Sequence, residues 1–305
     1  MYFQKFIKAV GTGPKGNKDL SLDEINELFE KILNQELSQA QIAAFLIAFR
    51  VKLETNEELK GVLKALQNST NYQKVDNSLL LGYSFDGVTN NPYLFPLYED
   101  ILSNFYKKNS DIRRLNLVVC VDEIQPATKG VTTKDIALNL DKGQYLHIFD
   151  RIEFLPKLSA LTKLRNELCL RTAFNTVEKL VNVSQSEFAL TSVFHKPYVA
   201  KYLDIFENSF KDLTIIRGSQ GSVEVFKDSK YWQKVDGKIE EFSFCLKDFG
   251  VSYKSEFENI SLNECLNLIK EPTKELLDLA KFNVALLLLF SKRVKSLDEA
   301  WQRLN

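Results

Sequence analysis

The chain has 305 residues, of which 45% are hydrophobic and 26% are charged, and this composition excludes an intrinsically disordered protein. Its 40 basic residues balance 40 acidic ones, so no overall field attracts a nucleic acid or a membrane, and such a partner would need a local patch of charge. The four cysteines lie far apart without a C-x-x-C pair, which argues against a disulfide framework or a zinc site and for a reducing compartment.

The N-terminal part of the chain contains three helix start signals, at Ser21, Ser38 and Thr55. Each is a capping box, in which a hydroxyl residue and an acid or amide three residues later satisfy free backbone N–H groups. The second box opens a stretch, residues 42–49, that is almost entirely apolar and therefore indicates a buried helix. These signals predict a small N-terminal helical domain over residues 1–72.

From residue 73 onwards, short apolar runs alternate with helical patterns. The runs at 79–81, 115–121 and 213–216 predict buried strands of a largely parallel sheet. The helical patterns cover residues 93–106, 157–168 and 198–210. Between 222 and 244 apolar and polar residues alternate around a turn at Gly237, which predicts an antiparallel addition.

The predicted fold class is therefore α plus α/β. A small helical domain is joined to a larger α/β domain, residues 73–305, with a mostly parallel central sheet and flanking helices. We place the helices of residues 156–182 near the hinge between the domains. No signal-peptide pattern is visible and the longest apolar run, 284–290, is too short to span a bilayer, so we expect a cytoplasmic protein without a membrane partner.

Two segments resemble a known family. Residues 37–55 read L-S-Q-A-Q-I-A-A-F-L-I-A-F-R-V-K-L-E-T and are similar to the N-terminal helical domain of anthranilate phosphoribosyltransferases, which nucleoside phosphorylases of the pyrimidine type share. Residues 165–175 read R-N-E-L-C-L-R-T-A-F-N and resemble the family segment R-x-x-L-G-x-R-T-x-F-N. The resemblance spans nearly the whole chain. It implies the phosphoribosyltransferase fold and, for the family, phosphoribosyl diphosphate and Mg²⁺ as donor and cofactor.

The family's phosphate loop, G-T-G-G-D-G, is degenerate at residues 82–87 of this chain. Ser84 and Phe85 stand where glycines would let backbone N–H groups approach a pyrophosphate, and Phe85 would fill the space that the pyrophosphate needs. The N-I-S-T clamp that follows keeps only its asparagine. An alternative interpretation makes the remaining glycines simple turn residues. The degenerate loop comprises Gly82, Ser84, Phe85, Asp86, Gly87 and Asn91.

Two further family motifs have also changed. The K-H-G-N-R motif after the second strand reads C-V-D-E-I at 120–124, so that Asp122 and Glu123 replace donors; they oppose a phosphate or, alternatively, hold Mg²⁺. In the motif H-G-x-D-G-L-D-E, the metal-binding Asp-Glu pair has become Val223 and Glu224. A lone glutamate lacks the paired oxygen ligands of such sites. We therefore predict that neither Mg²⁺ nor phosphoribosyl diphosphate binds and that no residue is catalytic.

Between residues 151 and 182, six cations face only three glutamates, although the chain is neutral overall. Arg165 matches the arginine that the family uses to hold the anthranilate carboxylate. The series is either a solvated helix face or an anion-binding patch. As nucleic-acid-binding candidates we name Lys157, Lys163, Arg165, Arg171 and Lys179.

Residues 1–13 and 66–70, M-Y-F-Q-K-F-I-K-A-V-G-T-G and L-Q-N-S-T, resemble one branch of the family. This anthranilate phosphoribosyltransferase-like branch lacks the phosphoribosyl diphosphate motifs and is known for dimeric, sequence-independent nucleic-acid binding. The resemblance implies a non-catalytic homologue that binds single- or double-stranded nucleic acid as a homodimer through its helical domain. Two alternatives stay open: a glycosyl- or phosphoribosyltransferase with an altered donor or acceptor, and a purely structural or regulatory dimer.

Overall fold

The structure is a computed structural model and describes residues 2–123, 125, 129–218 and 220–305. Met1, Ile124 and Ser219 belong to segments that we compared with the family, and they lie outside the described residues. Within the described part of the chain, no helix is long and apolar enough to cross a membrane.

The first domain is the predicted helical domain, and its described residues form a bundle of four helices. They are α1 (Tyr2–Gly11), α2 (Leu22–Leu33), α3 (Gln39–Lys52) and α4 (Asn56–Asn68). The capping boxes at the starts of α2, α3 and α4 are all formed, with side-chain and backbone bonds in both directions. The rings of Phe29, Phe45 and Phe49 contact one another inside the bundle, and Phe29 also contacts Phe174 of the second domain.

The second domain is built on one seven-stranded sheet. Its strands are β1 (Ser78–Gly82), β2 (Asn116–Val121), β3 (Leu146–Asp150), β4 (Phe188–Val193), β5 (Asp212–Arg217), β6 (Ser229–Val235) and β7 (Lys238–Phe244). They lie in the order β3-β2-β1-β4-β5-β6-β7. The first five are parallel, and β6 and β7 form an antiparallel hairpin that turns at Asp236 and Gly237. The predicted parallel sheet with an antiparallel addition is confirmed.

Ten helices follow within the described residues of the second domain. They are α5 (Tyr98–Lys108), α6 (Thr133–Ala137), α7 (Arg151–Phe154), α8 (Pro156–Ser159), α9 (Thr162–Leu168), α10 (Ala173–Val177), α11 (Pro197–Ile205), α12 (Leu262–Lys270), α13 (Lys274–Phe290) and α14 (Leu297–Leu304). Short 3₁₀ turns occur at Phe95–Leu97, Glu178–Leu180 and Leu246–Phe249.

Three helix boundaries differ from the sequence prediction. The helix expected from residue 93 begins only at Tyr98, after a 3₁₀ turn that contains Pro96, because proline removes a backbone donor. The single helix expected over 157–168 is divided into α8 and α9. The helix expected over 198–210 ends at Ile205. Strand β4, in the centre of the sheet, is not among the strands that we predict from the sequence.

Each face of the sheet has its own core, because neighbouring strand residues point to opposite faces. Leu80 packs into the core that contains the helical domain, whereas Leu79 and Leu81 pack into the core that contains α5 and α13. Helices α9 and α10 contact helices α3 and α4 of the first domain. The residues after α7 therefore connect the helical domain with the carboxyl end of the sheet.

Candidate functional site

A cleft of about 500 Å³ lies at the carboxyl ends of β1, β4 and β5. The loop after β1, the segment 171–179, the end of β4 and the loop after β5 form its walls. In open α/β sheets, ligands bind outside the carboxyl ends of the strands, so the position of this cleft is that of a binding site.

The loop after β1 is packed against its neighbours. Phe85 is buried, and its ring lies 5.2 Å from the guanidinium carbon of Arg151. The Ser84 N–H donates to the Gly221 carbonyl at 3.3 Å, and a Cβ on Gly221 would lie 1.9 Å from Ser84 Oγ. The loops after β1 and β5 are therefore in direct contact at a point where only glycine fits.

The remaining residues of the degenerate loop have separate positions. Gly82 is the last residue of β1, and a Cβ there would lie 2.7 Å from Leu180 Cδ2. A Cβ on Gly87 would lie 2.7 Å from the Gly130 backbone. Close packing thus explains both glycines. Asp86 forms an ion pair with Arg171 in the cleft. The buried Oδ1 of Asn91 has no hydrogen-bond partner among the described residues.

Glu224 is buried and its carboxylate is held by four donors. Oε1 accepts hydrogen bonds from the Tyr83 hydroxyl at 2.8 Å and from the backbone N–H groups of Leu94 at 2.8 Å and Phe95 at 2.7 Å. Oε2 accepts from Ser222 Oγ at 3.2 Å. Burial raises the pKa of Glu224 to about 7. Glu224 thus anchors the turn that precedes α5.

Val223, beside it, is buried in the apolar core. A Mg²⁺ site needs several oxygen ligands that face the ion. Both oxygens of Glu224 are occupied by protein donors and Val223 supplies none, so the residues at this motif do not fit Mg²⁺.

Arg165 lies in the interior of the protein. Its Nη1 and Nη2 donate to the two carboxylate oxygens of Glu178 at 2.8 and 2.7 Å, and Arg151 Nη1 donates to Glu178 at 2.6 Å. Arg151 also pairs with Asp122. All four side chains are buried, and two cations balance two carboxylates.

The pKa values in this cluster follow from burial and pairing. Burial raises the pKa of Glu178, but Arg165 and Arg151 outweigh it and hold that pKa below its ordinary value. Burial raises the pKa of Asp122 to about 6, against the opposing effect of Arg151. The interpretation of Arg165 as part of a surface patch is therefore wrong, because Glu178 neutralises it inside the protein. Glu123, in contrast, is exposed.

Lys179 is also buried, but it lines the cleft. Its Nζ donates to the Ser192 carbonyl at 3.0 Å and lies 4.6 Å from the centre of the Tyr202 ring. Burial lowers the pKa of Lys179 to about 8. Arg171 is half exposed at the mouth of the same cleft, where its Nη2 lies 2.9 Å from Asp86 Oδ2. Arg50 of α3 donates to the Arg171 carbonyl.

The predicted basic series therefore divides into three parts. Arg165 is in the interior, Arg171 and Lys179 line the cleft, and Lys157 and Lys163 are exposed on α8 and α9. Lys157 Nζ donates to Asn34 Oδ1 at 2.7 Å across the domain boundary. The structure brings only Arg171 and Lys179 together in one site.

Two family models match this chain. Residues 4–70 match the helical bundle domain of a glycosyl transferase family, and residues 132–305 match the a/b domain of that family. Together the matches cover well over half of the sequence. The chain belongs to glycosyl transferase family 3.

Relatives of this family 3 protein include enzymes. An uncharacterized protein of Aquifex aeolicus is 34% identical over 72% of this chain and 70% of its own length. The anthranilate phosphoribosyltransferase of Saccharolobus islandicus is 25% identical over 77% of this chain and 70% of its own length.

Solved structures share the fold of this family 3 protein. Anthranilate phosphoribosyltransferase from Thermus thermophilus has a TM-score of 0.76 at 16% identity, over 99% of this chain and 93% of that one. The Saccharomyces cerevisiae enzyme in complex with PRPP and Mg has a TM-score of 0.76 at 15% identity, over 99% and 92%. The predicted membership of the anthranilate phosphoribosyltransferase-like family and the predicted fold are confirmed.

Several residues of the cleft in this family 3 protein are not among the predicted site residues. They include Lys129, Glu178 and Phe194. Phe194 is 73% exposed and lines the cleft directly after β4. Recognition of β4 as a strand would have placed Phe194 at the carboxyl edge of the sheet, where ligands bind.

Proposed function

We propose that this protein is a non-catalytic member of family 3 that binds nucleic acid, single- or double-stranded, without sequence preference. The observation that carries the proposal is the unbalanced charge of the cleft. Glu178 is neutralised in the interior, so the cations Lys129, Arg171 and Lys179 line the cleft against Asp86 alone. Nucleic-acid backbones are polyanions, and cations that face them supply most of non-specific affinity.

Surrounding cations support the same ligand. Arg50 adjoins Arg171, and Lys163 is exposed on the neighbouring helix α9. A linear polyanion can contact such cations one after another along its backbone, whereas a small ligand would contact only those inside the cleft. This distribution favours a polymer over a single phosphate.

The lost family motifs support the absence of phosphoribosyl transfer. Phosphoribosyl transfer depends on donors and metal that stabilise the leaving diphosphate. Glu224 is occupied by structural hydrogen bonds, and Arg165 is paired with Glu178. Phe85 is buried beside the cleft in a position where the family has glycine. We therefore propose that neither Mg²⁺ nor phosphoribosyl diphosphate is used.

The experiment is a fluorescence-anisotropy titration of labelled single-stranded DNA, single-stranded RNA and duplex DNA at several salt concentrations. We expect binding of all sequences with similar affinity, and log K that falls linearly with log salt. Absence of binding to every oligonucleotide at low salt would overturn the proposal.

A transferase with an altered donor or acceptor is the second candidate. The cleft volume of about 500 Å³ lies within the range of roughly 300–1,000 Å³ that is typical of small-molecule sites. The Ser84 Oγ at its edge has no hydrogen-bond partner among the residues that the structure describes. Calorimetry with phosphorylated sugars tests this candidate.

We also propose a homodimer through the helical domain. At the end of α3, Val51 is 74% exposed and Leu53 is 76% exposed. Two large, strongly exposed apolar side chains at the end of one helix favour burial against a second copy of this chain.

A further inference from the structure

An aromatic side chain projects into solvent beside the cations of the cleft. Phe194 follows β4 directly and is 73% exposed, and the ring of His195 meets its ring edge to face at 4.8 Å. Exposed single hydrophobic residues are common on protein surfaces. Phe194 differs from other strongly exposed ones, such as Leu138 directly after α6, in that it lines a binding cleft.

Proteins bind single strands with aromatic side chains that stack on bases and with cations that contact the phosphates, and both kinds of residue occur around Phe194. Arg171 and Lys179 line the same cleft, and Arg171 is 50% exposed at its side chain. Asp86 engages one nitrogen, Nη2, of a guanidinium that carries five N–H donors. Arg171 can therefore contact a phosphate while it keeps its bond to Asp86.

We propose that Phe194 is a stacking platform for one nucleobase of a single strand, with the adjoining phosphate at Arg171. The inference rests on the proposed nucleic-acid binding and specifies its strand type and contact. Every base has a π-face, so stacking tolerates any sequence, and the chain need not read base edges. Bases inside a duplex are already stacked on their neighbours, so Phe194 reaches only an unpaired base.

Three variants separate stacking from other effects. Phe194→Ala removes the ring, Phe194→Trp keeps an aromatic face, and Leu138→Ala removes a side chain of similar exposure, 76%, that does not line the cleft. Each is titrated with a short oligothymidine, with an abasic oligomer of equal length and with a duplex. Thermal unfolding checks that all variants fold. Because Phe194 is mostly exposed, we expect its replacement to leave the stability of the core unchanged.

We expect Phe194→Ala to weaken oligothymidine binding by about 5- to 150-fold, the range of alanine substitutions at stacked bases. Its affinity for the abasic oligomer and the duplex should equal that of the wild type. Phe194→Trp should retain oligothymidine affinity, and Leu138→Ala should change none of the three.

The outcomes distinguish this inference from the proposed function. If the wild type binds oligonucleotides but Phe194→Ala binds oligothymidine equally well, the stacking inference fails and the proposed function stands. Equal losses for oligothymidine and the abasic oligomer would also overturn stacking. If the wild type binds no oligonucleotide at low salt, both fail together.

Discussion

Arg165 and Glu178 form a bidentate ion pair in the interior of the protein, with both guanidinium Nη atoms within 2.8 Å of a carboxylate oxygen. Neither side chain is exposed. The pair lies directly behind the cleft, which Glu178 also lines. An arginine that the family resemblance assigns to a substrate carboxylate is thus bound by a carboxylate of the protein itself.

The pair should be important for stability. Arg165→Ala leaves Glu178 with only Arg151 as a cation, and removal of one partner of a buried pair costs about 3–5 kcal/mol. We expect urea denaturation to show a loss of this size in the free energy of unfolding. The matched control Lys163→Ala, an exposed cation on the same helix, should change it by less than about 0.5 kcal/mol. An equally small loss in the free energy of unfolding for both variants would contradict the predicted importance of the buried pair.

Calorimetry with phosphoribosyl diphosphate and Mg²⁺ should detect no binding. Val223→Asp should not restore it, because the neighbouring Glu224 oxygens still accept four protein hydrogen bonds. The Saccharolobus islandicus anthranilate phosphoribosyltransferase, titrated in parallel, serves as a positive control. A dissociation constant in the micromolar range for the wild type would favour the transferase candidate instead.

The salt dependence of oligonucleotide binding should identify Arg171 as a phosphate contact. Arg171→Ala should reduce the slope of log K against log salt by about 0.7 for a single strand, since one fewer counterion is released. The control is Lys107→Ala, which removes an exposed cation of α5 outside the cleft. An unchanged slope for Arg171→Ala would exclude this contact.

Stability should fall as the pH rises from about 5 to 7. Burial raises the pKa of Glu224 from 4.5 to about 7 and that of Asp122 to about 6, so in this window the folded state binds more protons than the unfolded state. The contribution of Glu224 to this loss is about 2 kcal/mol. Glu224→Gln cannot ionise, so its stability should depend less on pH between these values. Parallel pH profiles for both proteins would show that Glu224 has an ordinary pKa.

Light scattering should show a dimer at micromolar concentration. Val51→Lys introduces a charge into the proposed contact, and we expect it to shift the protein towards the monomer because an unpaired charge is costly to bury. Leu138→Lys makes a comparable change at a similarly exposed position directly after α6 and should leave the dimer intact. A monomeric wild type would contradict the proposed dimer.

The local signals of the sequence predicted the N-terminal helices accurately. The capping boxes at Ser21, Ser38 and Thr55 involve residues three positions apart, so they require no knowledge of the rest of the fold. The same is true of the turn at Gly237, which joins β6 and β7. Apolar runs also predicted β1, β2 and β5. A strand that is buried on both faces of a sheet carries apolar side chains on both faces and is therefore a continuous apolar run in the sequence.

The sequence by itself predicted the helical domain and the α/β domain, and it carries the resemblance from which we predict that the family's phosphate and metal residues are lost, since both depend on residue identity at neighbouring positions. Only the tertiary structure decided which cations are available. Arg165 and Arg171 are six positions apart and are the same type of residue, but one meets Glu178 in the interior and the other faces the cleft. That difference arises from the packing of α9 and α10 between the helical domain and the sheet. The sequence gives the type of each side chain, whereas its exposure and its charged partners depend on every element that packs around it.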